Sequence, residues 1–374
     1  MILTKCAQCA APLETKCFRC GVCKLRYCGR DCQKRHWKDH RPICPEIKRQ
    51  GGAEQHYANK KYAEFVKVAV EKCANDTKGQ TCYICTEAVH WKTKEGLVRG
   101  CACRGTSGFA HVSCLAEQAK ILWAEVEENN LDAKGRWYRW DRCSLCEQQY
   151  YGVVRGALGW ACWKTYLGRP EVDGVRRAAM TQLGNGLFIA KHHADALSVY
   201  EAELSTERRL GASECHIIGL MGNLAGTYSL LGRNEEALRV RRDEYSRRLK
   251  LSGEQDRYTL QTANNLAFLL VDRKRFEESK SLMRKTIPVA RRVCGMNDEI
   301  TLKMRAIYAK ALYRDDGATL DDLREAVQTS EDTTRTARRV FGGTHPLVAQ
   351  MQMDLRNARA ALRAREETQP PGDA

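Results

Sequence analysis

Apolar residues fall at helical spacing over two separate stretches of the chain. Between residues 53 and 73, Tyr62, Phe65, Val66, Ala69 and Cys73 recur at i, i+3, i+4, i+7 and i+11, the face of one helix. Gly51-Gly52 before it and residues 75–80 after it are breakers. From residue 175 onward a longer period appears. Gly211, Gly253 and Gly295 are spaced by 42, as are Ala225, Ala267 and Ala309, and Ile218, Leu260 and Leu302. Gly342 follows after 47, the five extra residues falling within 314–320, and an earlier unit begins near Val175, where Ala196 precedes Ala237 by 41. Each unit predicts two amphipathic helices. The first carries a motif such as Gly222-Asn223-Leu224-Ala225-Gly226-Thr227-Tyr228, and the second opens at one such as Arg233-Asn234-Glu235-Glu236-Ala237-Leu238. Small residues at fixed offsets let paired helices approach closely, while Leu and Tyr fill the layers between them. Residues 347–365 predict a closing helix.

No stretch reaches the length of about 18 apolar residues that a membrane-spanning helix needs. The best candidate, 152–168, is broken by Arg155 and Lys164. The first six residues, Met1-Ile2-Leu3-Thr4-Lys5-Cys6, carry no secretory apolar region. The expectation is an intracellular protein, cytoplasmic or nuclear, with no membrane span.

Outside the periodic stretches the chain is ruled by cysteine. Of 19 cysteines in 374 residues, 16 lie before residue 147. Without a secretory signal, that density predicts metal binding rather than disulfides. The net charge of +16 is lowered to about +10 once fourteen thiolates and four divalent zincs are counted. The basic residues are spread along helices with no block of five or six, so nucleic acid is disfavoured as a partner. The aromatic run Trp137, Tyr138, Trp140, Tyr150, Tyr151, Trp160 and Trp163 is expected to pack a zinc domain against the helices that follow rather than to stack bases.

The first cysteine group is Cys6-x2-Cys9, Cys17-x2-Cys20, Cys28-x3-Cys32 and His40-x3-Cys44, with Cys23 supernumerary. Paired knuckles of this form place thiolates around tetrahedral Zn²⁺, and four pairs make two sites. So few large apolar side chains cannot fold 45 residues by burial. Each structural zinc supplies on the order of 10–16 kcal/mol instead. The run Tyr27-Cys28 through Cys32-Gln33, Trp37-x2-His40 and Cys44 resembles a MYND zinc finger over residues 6–44. The resemblance implies that Cys6, Cys9, Cys28 and Cys32 share one zinc, and that a central pair joins His40 and Cys44 at the other. The Cys-x2-Cys-Gly form of Cys17-Phe18-Arg19-Cys20-Gly21 favours Cys17 and Cys20 as that pair, with Cys20 and Cys23 as the alternative register. His36 is expected on the helix surface. MYND fingers are usually docking modules for short proline-containing segments, and no SET-domain motif accompanies this one.

The second group is Cys82-x2-Cys85, Cys101-x-Cys103, His111-x2-Cys114 and Cys143-x2-Cys146, eight ligands and again two zincs. Its Cys-x-Cys-x7-His-x2-Cys core resembles the RING-CH, or variant RING, finger. The resemblance implies that Cys82, Cys85, His111 and Cys114 share one zinc and Cys101, Cys103, Cys143 and Cys146 the other. It also places Ile84 and Leu145 where a RING finger receives a ubiquitin-conjugating enzyme. Gln118 stands where that family often has Trp, the step from Cys114 to Cys143 is long at 28 residues, and Glu147 follows the last ligand in place of a basic residue. A helix is expected over residues 115–128.

The 42-residue units resemble tetratricopeptide repeats of the kinesin-light-chain type over residues 175–346, most clearly at Phe341-Gly342-Gly343-Thr344-His345-Pro346-Leu347. That resemblance implies a groove for extended peptide, with Asn223 and Asn265 placed to bond a peptide backbone and Asn264, Lys303 and Arg305 facing the same groove. His192-His193 point about 100° apart on a helix and do not form a metal pair.

The expected architecture is multidomain, with two small zinc-stabilised cross-brace fingers followed by an all-α tetratricopeptide solenoid. Its boundaries are a finger at 1–45, a helical linker at 46–80, a second finger at 81–150, an aromatic connector at 151–174, repeats at 175–366 and a frayed tail at 367–374. Two functions fit: a zinc-binding adaptor docking peptides through the first finger and the repeats, or a ubiquitin ligase whose second finger recruits the conjugating enzyme while the repeats choose substrate. Four structural Zn²⁺ are the cofactors in either case.

Overall fold

The computed structural model describes residues 5–11, 13 and 17–368. The expected tail at 367–374 lies largely outside the described residues. The chain separates into two compact units, Met1–Ala212 and Ser213–Ala374, so the division falls inside the repeat region.

The first unit opens with a two-stranded hairpin, β1 (Phe18–Arg19) and β2 (Arg26–Tyr27), paired antiparallel with Phe18 opposite Tyr27. Helices α1 (Arg30–His40), α2 (Cys44–Arg49) and α3 (Ala53–Cys73) follow. Helix α3 buries Phe65, Val66, Ala69 and Cys73, four of the five residues on the face its periodicity marks, with Tyr62 half-buried. A largely irregular segment then leads to α4 (Val112–Asn129), α5 (Ala133–Trp137), a 3-10 turn (Tyr138–Trp140), α6 (Gly152–Tyr166), α7 (Gly174–Ile189) and α8 (His193–Arg209).

Helix α6 is buried from Val154 through Trp163. Three neighbours cover it. Gly156 faces Phe65 of α3, Gly159 faces the backbone of Gln182 and Leu183 on α7, and Val154 packs onto Gly100. Of the aromatic run, Trp140, Tyr150, Trp160 and Trp163 are buried, Trp137 packs edge-on against Trp123, and Tyr138 and Tyr151 remain exposed. Arg155 is also fully buried. Its guanidinium bonds the side-chain oxygen of Gln182 and, at 3.5 Å, the carbonyl of Trp140, and burial lowers its pKa.

The second unit contains α9 (Glu214–Leu230), α10 (Asn234–Ser252), α11 (Arg257–Asp272), α12 (Phe276–Val293), α13 (Glu299–Tyr313), α14 (Leu320–Phe341) and α15 (Pro346–Thr368). The period has a local cause. Gly211, Gly253, Gly295 and Gly342 each close a second helix with φ between +71° and +94°, a conformation that costs glycine nothing. Ser213, Asp256 and Asp298 then cap the next helix by accepting its free amides. The core runs through Leu260, Ala267, Met283, Met304, Ala311, Leu312 and Ala326, and continues to Leu302, Ala337, Val348 and Met351 under α15. The five extra residues carry Asp315, which receives the buried Lys280 ammonium at 2.9 Å. The architecture is therefore a zinc-binding finger region followed by a tetratricopeptide-like helical solenoid. Among the described residues no helix is long and apolar enough to cross a membrane.

The close crossing of α6 and α7 gives a paired test. A Cβ on Gly186 would stand 2.8 Å from the Arg155 carbonyl oxygen, whereas one on Gly219 of α9 meets nothing within 4 Å. Gly186→Ala should destabilise the first unit by about 1–2 kcal/mol through overpacking, net of its gain in helix propensity. Gly219→Ala should stabilise the second by about 0.5–1 kcal/mol. Urea unfolding of the zinc-loaded chain reads both.

Candidate metal centres

One local turn recurs four times. In every Cys-x2-Cys pair but Cys17-x2-Cys20, the first cysteine's N–H bonds the carbonyl five residues on, and its carbonyl accepts the N–H four residues on. These bonds are Cys6 to Ala11 and Ala10, Cys20 to Leu25 and Lys24, Cys82 to Glu87 and Thr86, and Cys143 to Gln148 and Glu147, at 2.8–3.0 Å. The residue after the second cysteine is left-handed every time: Ala10, Lys24, Thr86 and Glu147, with φ of +56° to +66°. The turn folds both thiols to one side and aims backbone amides at sulfur. Ile84 N–H reaches Cys82 Sγ and Leu145 N–H reaches Cys143 Sγ, both at 3.4 Å.

Four groups of donors converge, each with its ligand atoms within 4.8 Å of one another: Cys6, Cys9, Cys28 and Cys32; Cys20, Cys23, His40 and Cys44; Cys82, Cys85, His111 and Cys114; Cys101, Cys103, Cys143 and Cys146. The pairs interleave in both fingers. In the first, α1 carries Cys32 at its start and His40 at its end, so one helix joins two centres. In the second, His111 stands at the residue before α4 and Cys114 lies in its first turn. The Glu95 carboxylate fixes that helix start by accepting from Ser113 N–H at 2.7 Å and Ser113 Oγ at 2.6 Å.

The spacing inside each group fits zinc. Zn–S bonds of about 2.3 Å and Zn–N bonds of about 2.0–2.1 Å in a tetrahedron give S···S edges of about 3.8 Å and S···N edges of about 3.5 Å. Observed S···S separations are 3.6 Å (Cys9–Cys28), 3.5 Å (Cys28–Cys32), 3.7 Å (Cys20–Cys44) and 3.8 Å (Cys103–Cys143). His40 Nε2 lies 3.4 and 3.5 Å from Cys20 and Cys23, and His111 Nδ1 lies 3.4 and 3.6 Å from Cys85 and Cys114. A disulfide would need sulfurs about 2.05 Å apart.

The protonation pattern agrees. Burial opposes ionisation of Cys6, yet the amides of Cys28, Cys9 and Gln8 bring it down to about 6, while the neighbouring thiols push Cys28 up to about 12. The Cys101 thiol, and after it backbone amides, pulls Cys143 down to about 4, and Cys101 is pushed far up in return. In each group one thiol is drawn down and at least one neighbour is pushed up, as with Cys20 against Cys23 and Cys82 against Cys114. A divalent cation removes that conflict, because all donors can then ionise together.

Cys17 does not join the second group; Cys23 does. The reason is the hairpin. Phe18 and Arg19 form β1, so Cys17 and Cys20 stand at opposite ends of an extended segment about 10 Å long, too far to share one ion. Cys20 and Cys23 lie in the hairpin's reverse turn. Gly21 misleads because the left-handed residue is Lys24, which a lysine tolerates here at φ +66°. His36 is half-buried rather than a plain surface residue, with its Nδ1 3.0 Å from the hydroxyl of the buried Tyr27.

A fifth copy of the turn, His90–Glu95, has no cysteine and escaped sequence reasoning. His90 N–H bonds Glu95 O, Lys94 N–H bonds His90 O, and Lys94 is left-handed. His90 Nδ1 accepts from Thr93 N–H and Oγ1 at 3.1 and 2.9 Å, as the first cysteine's sulfur accepts amides elsewhere. The only sequence signal is the x2 spacing of His90 and Thr93.

Ile84 and Leu145 are exposed at the tips of neighbouring knuckles, tied by a 3.0 Å bond between Tyr83 Oη and Ser144 Oγ. Glu147 is held by Arg139. Asn223 and Asn265 are half-buried on α9 and α11, and Asn265 Oδ1 already accepts from Gln261 at 3.0 Å. Asn264 is buried, Lys303 pairs with Glu299 at 2.6 Å, and Arg305 is half-buried.

Comparison with known proteins matches residues 6–44 to the MYND finger family and residues 259–299 to a tetratricopeptide repeat family. No curated protein matches the chain. Among solved structures, BtubC (BKLC) from P. vanneervenii is 15% identical with a TM-score of 0.41, covering 70% of this chain and 95% of its own. A kinesin light chain with nearly identical TPR-like repeats, described as putative, from Podosopora anserina is 13% identical with a TM-score of 0.44, covering 62% and 98%.

The register of the central pair is directly testable. Native mass spectrometry of the full chain should find four zincs in the parent and in Cys17→Ser, and three in Cys23→Ser. The latter should also lose several kcal/mol of first-finger stability.

Proposed function

We propose that the protein is a zinc-dependent interaction adaptor that docks peptide segments of partner proteins through its MYND finger and its helical repeats. In this reading the four donor groups are the ligand sets of four zincs, with Cys23 in place of Cys17, His40 binding through Nε2 and His111 through Nδ1. Each set has four protein donors, so each zinc is closed and structural. The zincs supply folding energy and leave the surface between them to do the binding.

The observation that carries this reading is the pairing of two interaction modules on one chain. Both belong to families that bind proteins. The first finger offers a suitable surface: Phe18, Val22, Trp37 and Ile43 are exposed apolar side chains on a domain too small to waste them. Exposed apolar groups of this size mark docking sites, and proline-containing segments suit an aromatic such as Trp37.

A second reading is favoured by one observation. Ile84 and Leu145 stand exposed on tied knuckles of the second finger, the placement by which a RING-CH-like domain would recruit a ubiquitin-conjugating enzyme. Glu147, ion-paired with Arg139 where a basic residue would grip the conjugate, is a reason to place it second.

Two measurements test these readings. An array of proline-containing peptides should yield binders to the zinc-loaded full chain, and Trp37→Ala should weaken them by at least about 2 kcal/mol, roughly thirtyfold. Binding that survives both Trp37→Ala and zinc chelation overturns the first reading. Autoubiquitination across a panel of conjugating enzymes, lost in Ile84→Ala, would promote the second.

A further inference from the structure

The last two helices leave a groove that the earlier helices do not. Within the second unit, α15 packs against α13 through Asp354, which accepts from Tyr313 Oη at 3.0 Å, and against α14 through Ala337, Val348 and Met351. Beyond the α14 contact lies an open groove of about 740 Å³. Arg335, Arg338 and Arg339 line it from α14, and Arg356 and Arg359 from α15.

An internal counterpart shows what such a face ordinarily meets. The offset of 47 that relates Gly342 to Gly295 relates Arg356 to Ala309 and Arg359 to Leu312. On α13 these two are buried. The helix covering that face is α14, which brings acidic groups with it: Glu325 accepts from Tyr308 Oη at 3.0 Å, and both Glu325 and Asp332 act on arginines of the slot, Arg284 and Arg305. Among the described residues nothing covers the equivalent face of α15.

The charges of the open groove are unbalanced. Arg359 is neutralised by Glu331 at 2.6 Å, and Arg335 lies 3.7 Å from Asp332. Among the described residues Arg339 meets the neutral Asn297 side chain, at 3.3 Å. The guanidiniums of Arg338 and Arg356 have no partner among the described residues. Leu355, Gln352 and Thr334 complete the lining, so the groove is not a uniformly charged surface.

We propose that the α14–α15 groove is a docking slot for an acidic α-helical segment of a partner protein. The slot is bounded as an internal slot is, which suits a helix; five arginines against one carboxylate in the lining select acidic side chains. The apolar Leu355 gives such a helix one side chain's worth of burial, which a nucleic-acid backbone would not use. The groove shares no residue with the first finger or with Asn223 and Asn265, so the proposal does not rest on either proposed function.

The test uses the zinc-loaded full chain and a fluorescein-labelled amphipathic peptide of about 20 residues, Leu at helical spacing and Glu elsewhere. Its Lys counterpart and a single-stranded RNA of similar length serve as comparisons. The Glu peptide should bind and the Lys peptide should not. Arg338→Glu with Arg356→Glu should weaken binding about tenfold, and Arg338→Lys with Arg356→Lys should largely preserve it. Arg239→Glu with Lys250→Glu makes the same charge change on α10 and should leave binding within about twofold. All four positions are exposed, so helical circular dichroism should be unaltered. The proposal is overturned if both charge-reversed pairs weaken binding equally, if the Glu peptide binds no better than the Lys peptide, or if the RNA displaces it and is itself lost with Arg338→Glu and Arg356→Glu.

Discussion

Fourteen thiols and two imidazoles crowd into four groups, each within 4.8 Å, with the shortest S···S and S···N separations at 3.4–3.8 Å. Such crowding is stable only around a cation. Without one, each thiolate that forms pushes its neighbours toward the protonated state, and the buried sulfurs lose solvation for no return. With Zn²⁺ the same proximity becomes bonding. The first finger shows the dependence most clearly: its core is largely the ligands themselves, Cys6, Cys20, Cys23, Cys32 and Cys44, with Tyr27, Ile47 and Ala53. Residues between the ligands are thereby freed to face solvent, and the exposed Phe18, Trp37 and Ile43 follow from that freedom.

Metal order also reaches the helices of the first unit. Tyr151 N–H bonds the Gly100 carbonyl beside Cys101, and α6 begins at the next residue with Val154 packed on Gly100. The second finger thus sets where α6 starts. That helix in turn buries nearly every face against α3, α4 and α7, with Trp160, Trp163 and Tyr166 as large anchors. A helix apolar on all sides is a buried hub rather than a surface element.

The second unit rests on a different principle. Among its described residues no cysteine–histidine group converges; instead the buried Ala, Leu and Met side chains of successive helices form a continuous core. Among the described residues no helix follows α15, and arginine occupies there positions that are Ala309 and Leu312 one unit earlier. Those positions put arginine side chains on that helix in place of the buried Ala and Leu of the earlier unit.

Much was legible in one dimension because the causes are local. Cysteine pairs at x2 spacing announce metal, since a tight turn alone brings their thiols together. The period of 42 announces paired helices, since left-handed glycines and Asp or Ser caps act within a few residues. Other features were decided only in three dimensions. Cys17 and Cys23 have identical spacing from Cys20, and the choice fell to the pairing of Phe18 with Tyr27, which stretches one interval and curls the other. Which imidazole nitrogen faces the sulfurs, Nε2 of His40 at the end of a helix or Nδ1 of His111 before one, depends on where the backbone stands relative to the centre. The turn at His90 was hidden because its backbone geometry survives without the cysteines that advertise it. The burial of α6 and the opening beside α15 likewise depend on which elements pack against a helix, and a helix's own sequence records its apolarity but not its neighbours.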